Sequence, residues 1–483
     1  MKAEIPEVVS AADVTSWSHE VDVLVIGLGV SGGCAAVEAA EAGANVLVLE
    51  RSAVSGGTSA LAGGHFYLGG GTAVQQATGH EDSAAEMEKY LTAVSREPEP
   101  DKIHAYCVDS VDHFNWLESL GFQFERTYYP EKAVIQPQTQ GLMFTGNEKV
   151  WPYNTMAKPA PRGHKVPVPG DTGGAKLVTD LLVKRLEALK VPIEYEVGAR
   201  QLVVDDGRVV GVAWKRLQES GFIKAKAVVI AAGGFVMNEE MVAEYVPQFG
   251  SKFYTLGNTY DDGLGIRMGM SVGGAVKHMD QPFITAPVYP PSRLLTGLVV
   301  NKEGKRFVAE DSYHSRTSGY VMDQPDAAAF LIVDEAHMER PDFPLCPFID
   351  GWETVAEMEA ALGIPVGNLQ ATLDEYNANA AKKEDPLFHK GAEWLEPQDN
   401  GPWGAFDMSL GKALYSGFTI GGLATSVDAE VLDAAGNAIP GLYAAGAGAA
   451  NLVQDSKGYA SGSQLGEGSY FGRRAGRHAA ALT

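Results

Sequence analysis

Residues 21–50 hold the feature that most narrowly constrains the fold of this chain. An almost continuous apolar run, VDVLVI at 21–26, precedes the glycine-rich turn GLGVSG at 27–32. An alanine-rich stretch then ends at Gly43, and a second apolar run, NVLVLE, follows at 45–50. Continuous β-branched runs are typical of buried strands, and alanine favours helix. The order predicts a strand, a helix and a second strand in one βαβ unit, which indicates an α/β fold.

In this context the glycine pattern predicts a dinucleotide site. Gly27 allows a tight turn, Gly29 lets a pyrophosphate approach the backbone, and Gly32 permits close helix–strand contact. Ser31 lies in the same turn, at a helix N-terminus whose free N–H groups and partial positive charge suit phosphate. Glu50, at the end of the second strand, is at the expected distance to bind ribose hydroxyls.

A second glycine cluster follows Glu50, with SGGTS at 55–59 and AGGH at 62–65. A nicotinamide cofactor gives no reason for such a cluster. The longer pyrophosphate and ribityl chain of FAD does, because it needs backbone N–H donors along more of its length. We therefore predict FAD; the alternative is a loop that is glycine-rich without a ligand. The predicted contacts in this stretch are Arg51, Gly56, Gly57, Thr58, Ser59, Gly63 and Gly64.

Later segments repeat this glycine-rich character: AAGG at 231–234, NTYDDGLG at 258–265 and the glycines of 441–448. Glycine clusters of this kind let the backbone come close to a large ligand. We therefore predict further cofactor contacts toward the C-terminus, at Ala232, Gly233, Asp262, Gly446, Gly462 and Leu465.

Length and charge limit the remaining possibilities. With 483 residues the chain is too long for one typical core, so two domains are expected. A net charge of −23 argues against a nucleic-acid partner and gives no basic patch for an anionic membrane. The three cysteines lack CxxC spacing, so neither a disulfide framework nor a metal site is predicted. Because neither a membrane-length apolar run nor a signal peptide is found, we expect a cytoplasmic enzyme.

Composition also divides the chain. Prolines, aromatic residues and charges rise at 281–410, and the glycine-rich apolar pattern returns afterwards. We therefore predict one domain built from residues 1–280 and 411–483, interrupted by a second domain at 281–410. Periodicity and turn residues predict helices at 81–121, 173–189 and 468–482, an irregular stretch at 128–169, and strands across 193–230 with a hairpin turn at 205–208.

The order of the glycine motifs resembles that of one flavoprotein superfamily, the fumarate reductases and 3-ketosteroid dehydrogenases. The motifs are ERSAVSGGTSALAGG at 50–64, VVIAAGG at 228–234, DDGLG at 261–265 and IPGLYAAG at 439–446. The resemblance runs over nearly the whole chain. It implies an α/β fold in which a Rossmann-like FAD-binding domain carries an inserted α+β substrate-capping domain, with FAD bound non-covalently.

Members of that superfamily catalyse different reactions, so the reaction of this chain must be inferred from its site residues. The dicarboxylate reducers hold carboxylates with histidines and arginines. At three of those positions this chain has Gln281, Phe418 and Gln464. These replacements make fumarate or urocanate a poor substrate. Arg293 and Arg316 remain, and they fit equally well as surface or structural arginines.

Two motifs look most like those of the 3-ketosteroid Δ4-(5α)-dehydrogenases: KGYASG at 457–462 and GGHFYLGGG at 63–71. That resemblance implies a hydrophobic 3-ketosteroid substrate and a catalytic set of Tyr459, Ser461 and a tyrosine from the capping domain. The third residue is Tyr313 by match, with Tyr320 as the alternative. The related Δ1-dehydrogenases carry Tyr-Ala-Gly at the C-terminal position, so Ser461 favours the Δ4 group.

The chemistry of ketone desaturation suits these residue types. A proton leaves the carbon α to the carbonyl, and a hydride leaves the β carbon for the flavin. Tyr459 is the candidate donor to the carbonyl oxygen, Ser461 the candidate base for C4, and Tyr313 the candidate relay to solvent. Simpler interpretations stay open. Tyr459 can pack against the flavin, Ser461 can cap a helix or bond the flavin, and Tyr313 can be an ordinary aromatic of the capping domain.

Other functions also stay open from the sequence. A Δ1-ketosteroid dehydrogenase or a fumarate- or urocanate-type reductase would share the fold. A subunit that only passes electrons is a different class, although the chain has no haem CxxCH motif and no iron–sulfur cysteines. The electron acceptor is not identified. His65 is expected to be structural or to lie beside the flavin, and no role is predicted for His314.

Overall fold

The computed structural model describes residues 3–134, 136–170, 172–285, 289, 291–342 and 344–482. Its helices are α1 (Val30–Glu41), α2 (Ala73–Ala77), α3 (Ala84–Val94), α4 (Pro100–Val108), α5 (Ser110–Ser119), α6 (Tyr153–Met156), α7 (Gly174–Ala188), α8 (Glu239–Tyr245), α9 (Leu264–Ser271), α10 (His314–Met322), α11 (Val355–Leu362), α12 (Asn368–Ala380) and α13 (Ser463–Ala481).

Its strands are β1 (Val9–Ser10), β2 (His19–Ile26), β3 (Val46–Glu50), β4 (His65–Tyr67), β5 (Leu142–Met143), β6 (Gly163–Lys165), β7 (Ile193–Tyr195), β8 (Gly198–Asp205), β9 (Arg208–Arg216), β10 (Glu219–Ile230), β11 (Phe253–Thr255), β12 (Val276–Lys277), β13 (Pro282–Thr285), β14 (Leu298–Asn301), β15 (Ala329–Asp334), β16 (Phe348–Trp352), β17 (Trp403–Asp407), β18 (Tyr415–Thr419), β19 (Gly422–Leu423), β20 (Glu430–Leu432) and β21 (Ala438–Ala444).

The largest sheet of the described chain has nine strands, in the order β1-β8-β9-β10-β2-β3-β7, with β21 beside β10 and β20 beside β21. The pairs β2–β3, β2–β10 and β10–β21 are parallel. In their register Ile26 lies between Leu49 and Ile230, and Ile230 pairs with Ala444. The carboxyl ends of four strands therefore meet at one edge, where open α/β sheets bind their ligands.

Small residues let the helices pack closely on this sheet. Helix α1 is buried along most of its length, and α13 crosses it at glycines. A Cβ on Gly472 would collide with the backbone of Ser31, and a Cβ on Gly476 would collide with that of Ala35. The alanine and glycine pattern of α1 and α13 thus brings the N-terminal turn and the C-terminal helix to the same edge of the sheet.

A second group of elements lies within residues 281–410. Four strands pair in the order β14-β15-β17-β16, all antiparallel. Helices α11 and α12 pack on this sheet, with Leu298, Ile332, Met358 and Leu373 in the shared core. A separate three-stranded sheet, β11-β18-β13, links this part of the chain to the segments on either side of it.

The structure confirms the mixed α/β class, and most of the long predicted elements are present. The unit β2–α1–β3 is present, α7 matches the predicted helix, and Asp205 pairs with Arg208 at the hairpin. The last helix begins earlier than predicted, at Ser463, because Gly462 takes the left-handed conformation that precedes its first turn. The region from 101 to 121 divides into α4 and α5 at Asp109.

The prediction of an irregular stretch at 128–169 was wrong in part. It contains β5, α6 and β6, and β6 pairs with both β4 and β5. These elements have two to four residues each, which is too short for a hydrophobic period to become visible. Within the described residues, none of the helices combines the length and apolar character that crossing a membrane would require.

Candidate active site

A cavity of about 840 Å³ opens at the carboxyl edge of the large sheet. It runs past the glycine turn before α1, the segments after β3 and β10, and the loop before α13. The predicted cofactor residues that line it are Gly27, Gly29, Ser31, Glu50, Arg51, Gly56, Gly57, Thr58, Ser59, Gly63, Gly64, Ala232, Gly233, Asp262, Gly446, Gly462 and Leu465. The exception is Gly32, which lies outside the lining and packs against the carbonyl of Gly27.

The turn between β2 and α1 has the shape that its glycines predict. Gly27 has φ +97°, and a Cβ there would collide with the carbonyl of Ala231. The Glu50 carboxylate accepts the N–H of Leu28 at 2.8 Å with one oxygen and the N–H of Ser52 at 2.8 Å with the other. Each oxygen keeps a second acceptor position. Glu50 thus holds the turn and can still bind a ribose hydroxyl.

The second glycine cluster forms a tight 3-10 turn beside the first. Gly56 and Gly57 have φ of +109° and +47°, which favours glycine at both positions. Ser59 accepts the N–H of Val30 at 3.2 Å, so the two clusters are tied together. Thr58 donates to Asp261 and accepts the N–H of Asn258 at 2.7 Å.

Acidic and basic groups meet at the Glu50 end of the cavity. Arg51 and Asp262 form an ion pair of 2.5 Å, and the guanidinium lies 4.4 Å from the centre of the Tyr260 ring. Burial raises the pKa of Asp261 to about 6. The sequence predicted Asp262 and missed Asp261, although the two are adjacent in one motif and both line the cavity.

These residues fit an extended dinucleotide such as FAD. Two of the glycines beside the cavity are required by close packing: a Cβ on Gly446 would meet the Ser31 hydroxyl, and one on Gly462 would meet the backbone of Tyr67. Backbone N–H groups near the start of α1 suit a pyrophosphate. The glycines therefore let the segments that line the cavity pack closely against one another.

Tyr459 and Ser461 lie at the other end of the cavity, and both line it. The Ser461 hydroxyl forms a hydrogen bond with the hydroxyl of Tyr313. The backbone N–H of Ser461 donates to the carbonyl of Thr145 at 2.8 Å. Tyr313 precedes α10, is 4% exposed and lies behind Ser461, outside the lining. The structure thus brings together the three predicted catalytic residues.

Apolar side chains surround Tyr459. Its ring centre lies 4.5 Å from that of Phe283 and 5.8 Å from that of Phe418. Strand pairing places Phe283 opposite Phe418, and the two rings stack at 4.7 Å. Phe283 and its neighbour Thr285 were not predicted. Their pairing partner lies far along the chain, in β18, so no local pattern could have indicated them.

The other residues that the sequence singled out differ in whether they line the cavity. The alternative residue Tyr320 lies outside the lining, with the Lys457 ammonium 4.8 Å from its ring centre. Phe418 and Gln464 line the cavity, whereas the Gln281 side chain bonds Asp280 at 2.7 Å. Neither Arg293 nor Arg316 lines the cavity: Arg293 donates to the carbonyl of Ala336, and Arg316 donates to that of Trp151 at 3.0 Å.

Two buried histidines also line the cavity. His314 forms a hydrogen bond with Thr285 through Nδ1, and burial lowers its pKa to about 3. Burial lowers the pKa of His65 to about 3 as well. Both imidazoles are therefore neutral near pH 7, so they can exchange hydrogen bonds but carry no charge.

Comparison with known proteins decides the family. The FAD binding domain family matches residues 22–463. The chain belongs to this family. The prediction of FAD as cofactor is thereby confirmed, and so is the resemblance to the superfamily of fumarate reductases and ketosteroid dehydrogenases.

Two of the similar proteins are steroid dehydrogenases. The chain is similar to the 3-oxo-5-alpha-steroid 4-dehydrogenase of Comamonas testosteroni, with 29% identity over 91% of this chain and 94% of the relative. A crystal structure of 3-ketosteroid-delta4-(5alpha)-dehydrogenase from Rhodococcus jostii RHA1, in complex with 4-androstene-3,17-dione, superposes with a TM-score of 0.93. The two sequences are 39% identical, and the superposition covers 98% of this chain and 99% of the Rhodococcus chain.

The chain is also similar to a urocanate reductase of Eggerthella lenta, with 29% identity over 96% of this chain and 75% of the relative. The protein is an FAD-dependent oxidoreductase that acts on CH–CH groups. The roles of Tyr459, Ser461 and Tyr313 stay predictions, because similarity at these identities does not test single residues.

Proposed function

We propose that this protein dehydrogenates a 3-ketosteroid and introduces the double bond between C4 and C5. One observation carries the proposal: the hydrogen bond between Ser461 and Tyr313, formed beside Tyr459 at the apolar end of the cavity. We also propose that residues 1–280 and 411–483 form a Rossmann-like FAD-binding domain that holds FAD non-covalently. Residues 281–410 would form the α+β capping domain.

In this proposal Tyr459 stabilises the substrate carbonyl. A C4 proton becomes acidic only when the C3 oxygen can take on negative charge, and a phenol O–H donated to that oxygen supplies the stabilisation. Phe283 and Phe418 pack beside the Tyr459 ring, and Tyr459 is buried. In such surroundings one hydrogen bond has a larger effect than it has in water.

In the same proposal Ser461 and Tyr313 remove the C4 proton. The Ser461 Oγ takes the proton from C4 as its own proton passes to the Tyr313 oxygen, and the phenol gives up its own proton to solvent. A serine alone is a weak base, so the bonded tyrosine is what makes this assignment chemically reasonable. When bound, FAD supplies the acceptor for the hydride from C5, so the C4–C5 single bond becomes double.

The charges along the cavity support a neutral ketone over a dicarboxylate. Among the described residues that line it, Arg51 is the one arginine or lysine, and it pairs with Asp262 away from Tyr459. Arg293 and Arg316, which could have bound carboxylates, bond backbone carbonyls elsewhere. A fumarate-type substrate would bring two charges into a site that offers them no partner, which is unfavourable.

The sheet β11-β18-β13 joins the two proposed domains. Strand β13 starts just inside the proposed capping domain and pairs with β18 of the FAD-binding domain. Tyr313 belongs to the proposed capping domain, and Ser461 belongs to the proposed FAD-binding domain. The proposed proton path therefore crosses from one domain to the other, as expected of a cap that completes a site.

Anaerobic mixing with 5α-androstane-3,17-dione tests the proposed function. We expect the long-wavelength flavin absorbance to bleach and the steroid to lose two hydrogens, with the new double bond at C4–C5 by NMR. Oxidised flavin that persists in excess steroid would contradict the proposal. A double bond at C1–C2 would replace it with the Δ1 reaction.

Two further measurements complete the test. Fumarate offered with a chemically reduced dye should give no dye oxidation above the rate without enzyme, whereas rapid oxidation would favour a dicarboxylate reductase. Acid precipitation of the holoenzyme should leave yellow FAD in the supernatant, because non-covalent FAD is released on unfolding. A yellow pellet would show covalent attachment.

A further inference from the structure

Residues 145–148 lie directly behind the segment that carries Tyr459 and Ser461. The carbonyl of Thr145 accepts the N–H of Ser461 at 2.8 Å. A Cβ on Gly146 would come within 2.8 Å of the Ala460 Cβ, so the two backbones are as close as glycine permits. This short segment is therefore the surface against which the proposed catalytic loop is held.

Asn147 connects this segment to two more parts of the site. Its Oδ1 accepts the backbone N–H of Tyr313 at 2.9 Å, and its Nδ2 donates to the carbonyl of Lys457 at 3.3 Å. The side chain is fully buried. Asn147 thus contacts both the start of α10, which presents Tyr313, and the loop that leads to Ser461.

Chemistry fixes which way the amide points. The N–H of Tyr313 can only donate, so it requires the amide oxygen, and the carbonyl of Lys457 can only accept, so it requires the amide nitrogen. Asparagine provides one acceptor and one donor at this spacing. Aspartate keeps an acceptor for Tyr313 but offers Lys457 no donor when ionised, and leucine of similar volume keeps neither.

Buried anchors hold Asn147 in place. Its own N–H donates to the Tyr90 hydroxyl at 2.8 Å. Next to it, the Glu148 carboxylate accepts the N–H of Gly146 at 3.0 Å and the Tyr67 hydroxyl at 3.0 Å. Because each of these groups is buried and bonded, the Asn147 amide cannot follow Tyr313 if the start of α10 shifts.

We propose that Asn147 is a positioning residue that sets the distance between the Tyr313 and Ser461 hydroxyls. The inference rests on the proposed function, in which those hydroxyls carry the C4 proton. Asn147 and Tyr313 both lie outside the cavity lining. Loss of the Asn147 amide should therefore slow proton removal and leave steroid binding almost unchanged.

Stopped-flow reduction of the holoenzyme by 5α-androstane-3,17-dione tests the inference. For Asn147→Ala and Asn147→Leu we expect the limiting rate of flavin reduction to fall about 10- to 100-fold, since a misplacement near 1 Å can cost that much. The dissociation constant should stay within about three-fold, because no steroid contact is lost. Asn147→Asp keeps the acceptor for Tyr313, so it should recover a rate within about ten-fold of the wild type.

A substrate deuterated at C4 separates positioning from general damage. If proton removal is slowed, the isotope effect on flavin reduction should rise in Asn147→Ala. Asn301→Ala is the matched control, because Asn301 is also buried and its amide oxygen accepts the N–H groups of Glu303 and Lys305 at 3.0 and 3.1 Å, away from the site. It should lower the melting temperature and leave both the rate and the isotope effect unchanged.

The outcomes distinguish this inference from the proposed function. Wild-type flavin that the steroid does not reduce would contradict the function and the inference together. Normal reduction by the wild type, with a limiting rate within two-fold of it in Asn147→Ala or Asn147→Leu, would overturn the inference alone. The inference would also be overturned if an Asn147 variant reduced flavin slowly only because it bound the steroid more weakly, with a raised dissociation constant and an unchanged limiting rate. One soluble variant of the two is sufficient for the measurement.

Discussion

The Ser461 hydroxyl is bonded to Tyr313, 148 positions away in the chain. A hydroxyl in water is too weak a base to take a proton from carbon, so what surrounds it decides whether it can act. Here the Ser461 hydroxyl is paired with the phenol of Tyr313. That side chain is only 4% exposed, so bulk water does not compete for the hydrogen bond. The reactivity of the site is therefore a property of the pair, which explains why changing either member should be costly.

Removing the proposed catalytic hydroxyls should stop reduction but not cofactor binding. We expect Ser461→Ala to slow flavin reduction by the steroid about 10²- to 10⁴-fold, the range for loss of a positioned base. Tyr459→Phe should slow it about 10²- to 10³-fold, because one donor to the developing oxyanion is lost. Both variants should purify yellow, and rapid-scan absorbance would measure both effects.

Matched controls lie outside the cavity. Ser469 is fully buried and donates to the carbonyl of Gly466 at 3.0 Å. The Tyr443 hydroxyl bonds His478 at 2.9 Å. Ser469→Ala and Tyr443→Phe should reduce flavin at the wild-type rate. Equal losses in controls and site variants would show that the effect comes from folding, and full activity in Ser461→Ala would remove that residue from the mechanism.

Sequence could indicate Tyr459 and Ser461 because they stand in one short motif beside a flavin glycine. It could not indicate Asp261's bond to Thr58, or Asn147's to Tyr313. The first pair lies 203 positions apart and the second 166. Spacing along the chain has no relation to such contacts. Only the meeting of strand ends and loops in three dimensions creates them.

The turn between β2 and α1 is an element whose shape depends on one glycine. Gly27→Ala puts a Cβ into the Ala231 carbonyl at a φ of +97°. We expect the variant to lose FAD because β2 and β10 must separate to admit the methyl group, which displaces the turn from the cofactor. Absorbance of the purified protein at the flavin band, relative to the protein band, measures the loss.

Gly43→Ala separates the clash from backbone strain. Gly43 follows α1 with a similar φ, +92°, but nothing lies within 4 Å of a Cβ placed there. That variant should stay yellow and lose about 1–2 kcal/mol of unfolding free energy, the cost of a left-handed alanine. A yellow Gly27→Ala protein would show that the turn tolerates the substitution and that its glycine is dispensable.

Helix α13 carries a buried carboxyl that should make stability depend on pH. Glu467 is 5% exposed and accepts the N–H of Leu452 at 2.8 Å, and burial raises its pKa from 4.5 to about 7. Between these values the folded protein holds a proton that the unfolded chain releases. Stability from this group is therefore present below pH 4.5 and is lost as pH rises through 7.

Glu467→Gln should remove that dependence. We expect the wild type to lose about 3 kcal/mol relative to the variant between pH 4.5 and 8, from a pKa difference near 2.5. Urea unfolding of both proteins across this range measures it. Glu375→Gln, an exposed position on α12, should follow the wild-type curve. Parallel curves for Glu467→Gln and the wild type would contradict the raised pKa.

Element length explains which parts of the fold could be predicted. The strand–helix–strand unit at the N-terminus has two apolar runs around an alanine-rich stretch, and α7 has a clear helical period, so both could be located from the sequence. Strands β5 and β6 have two and three residues and were missed. The β13–β18 pair joins segments far apart in the chain. The apolar side of the site depends on that pairing, so Phe283 could not be foreseen.

The whole molecule carries a net charge of −23, which acts on any charged species that approaches it. A neutral steroid experiences little of this field, whereas an anionic electron acceptor is repelled over about one Debye length. The two half-reactions of the enzyme should therefore respond differently to salt. Reduction by the steroid provides an internal control for oxidation by an anion.

Ferricyanide, a trivalent anion, makes this difference measurable. Raising KCl from about 0.01 M to about 1 M shortens the Debye length from about 30 Å to about 3 Å. We expect the second-order rate constant for reoxidation of the reduced flavin to rise roughly ten-fold over that range, because screening removes the repulsion. The reduction rate with 5α-androstane-3,17-dione should stay within about two-fold. A reoxidation rate that falls with salt would contradict this expectation, because it would show that local positive charge near the flavin outweighs the net charge.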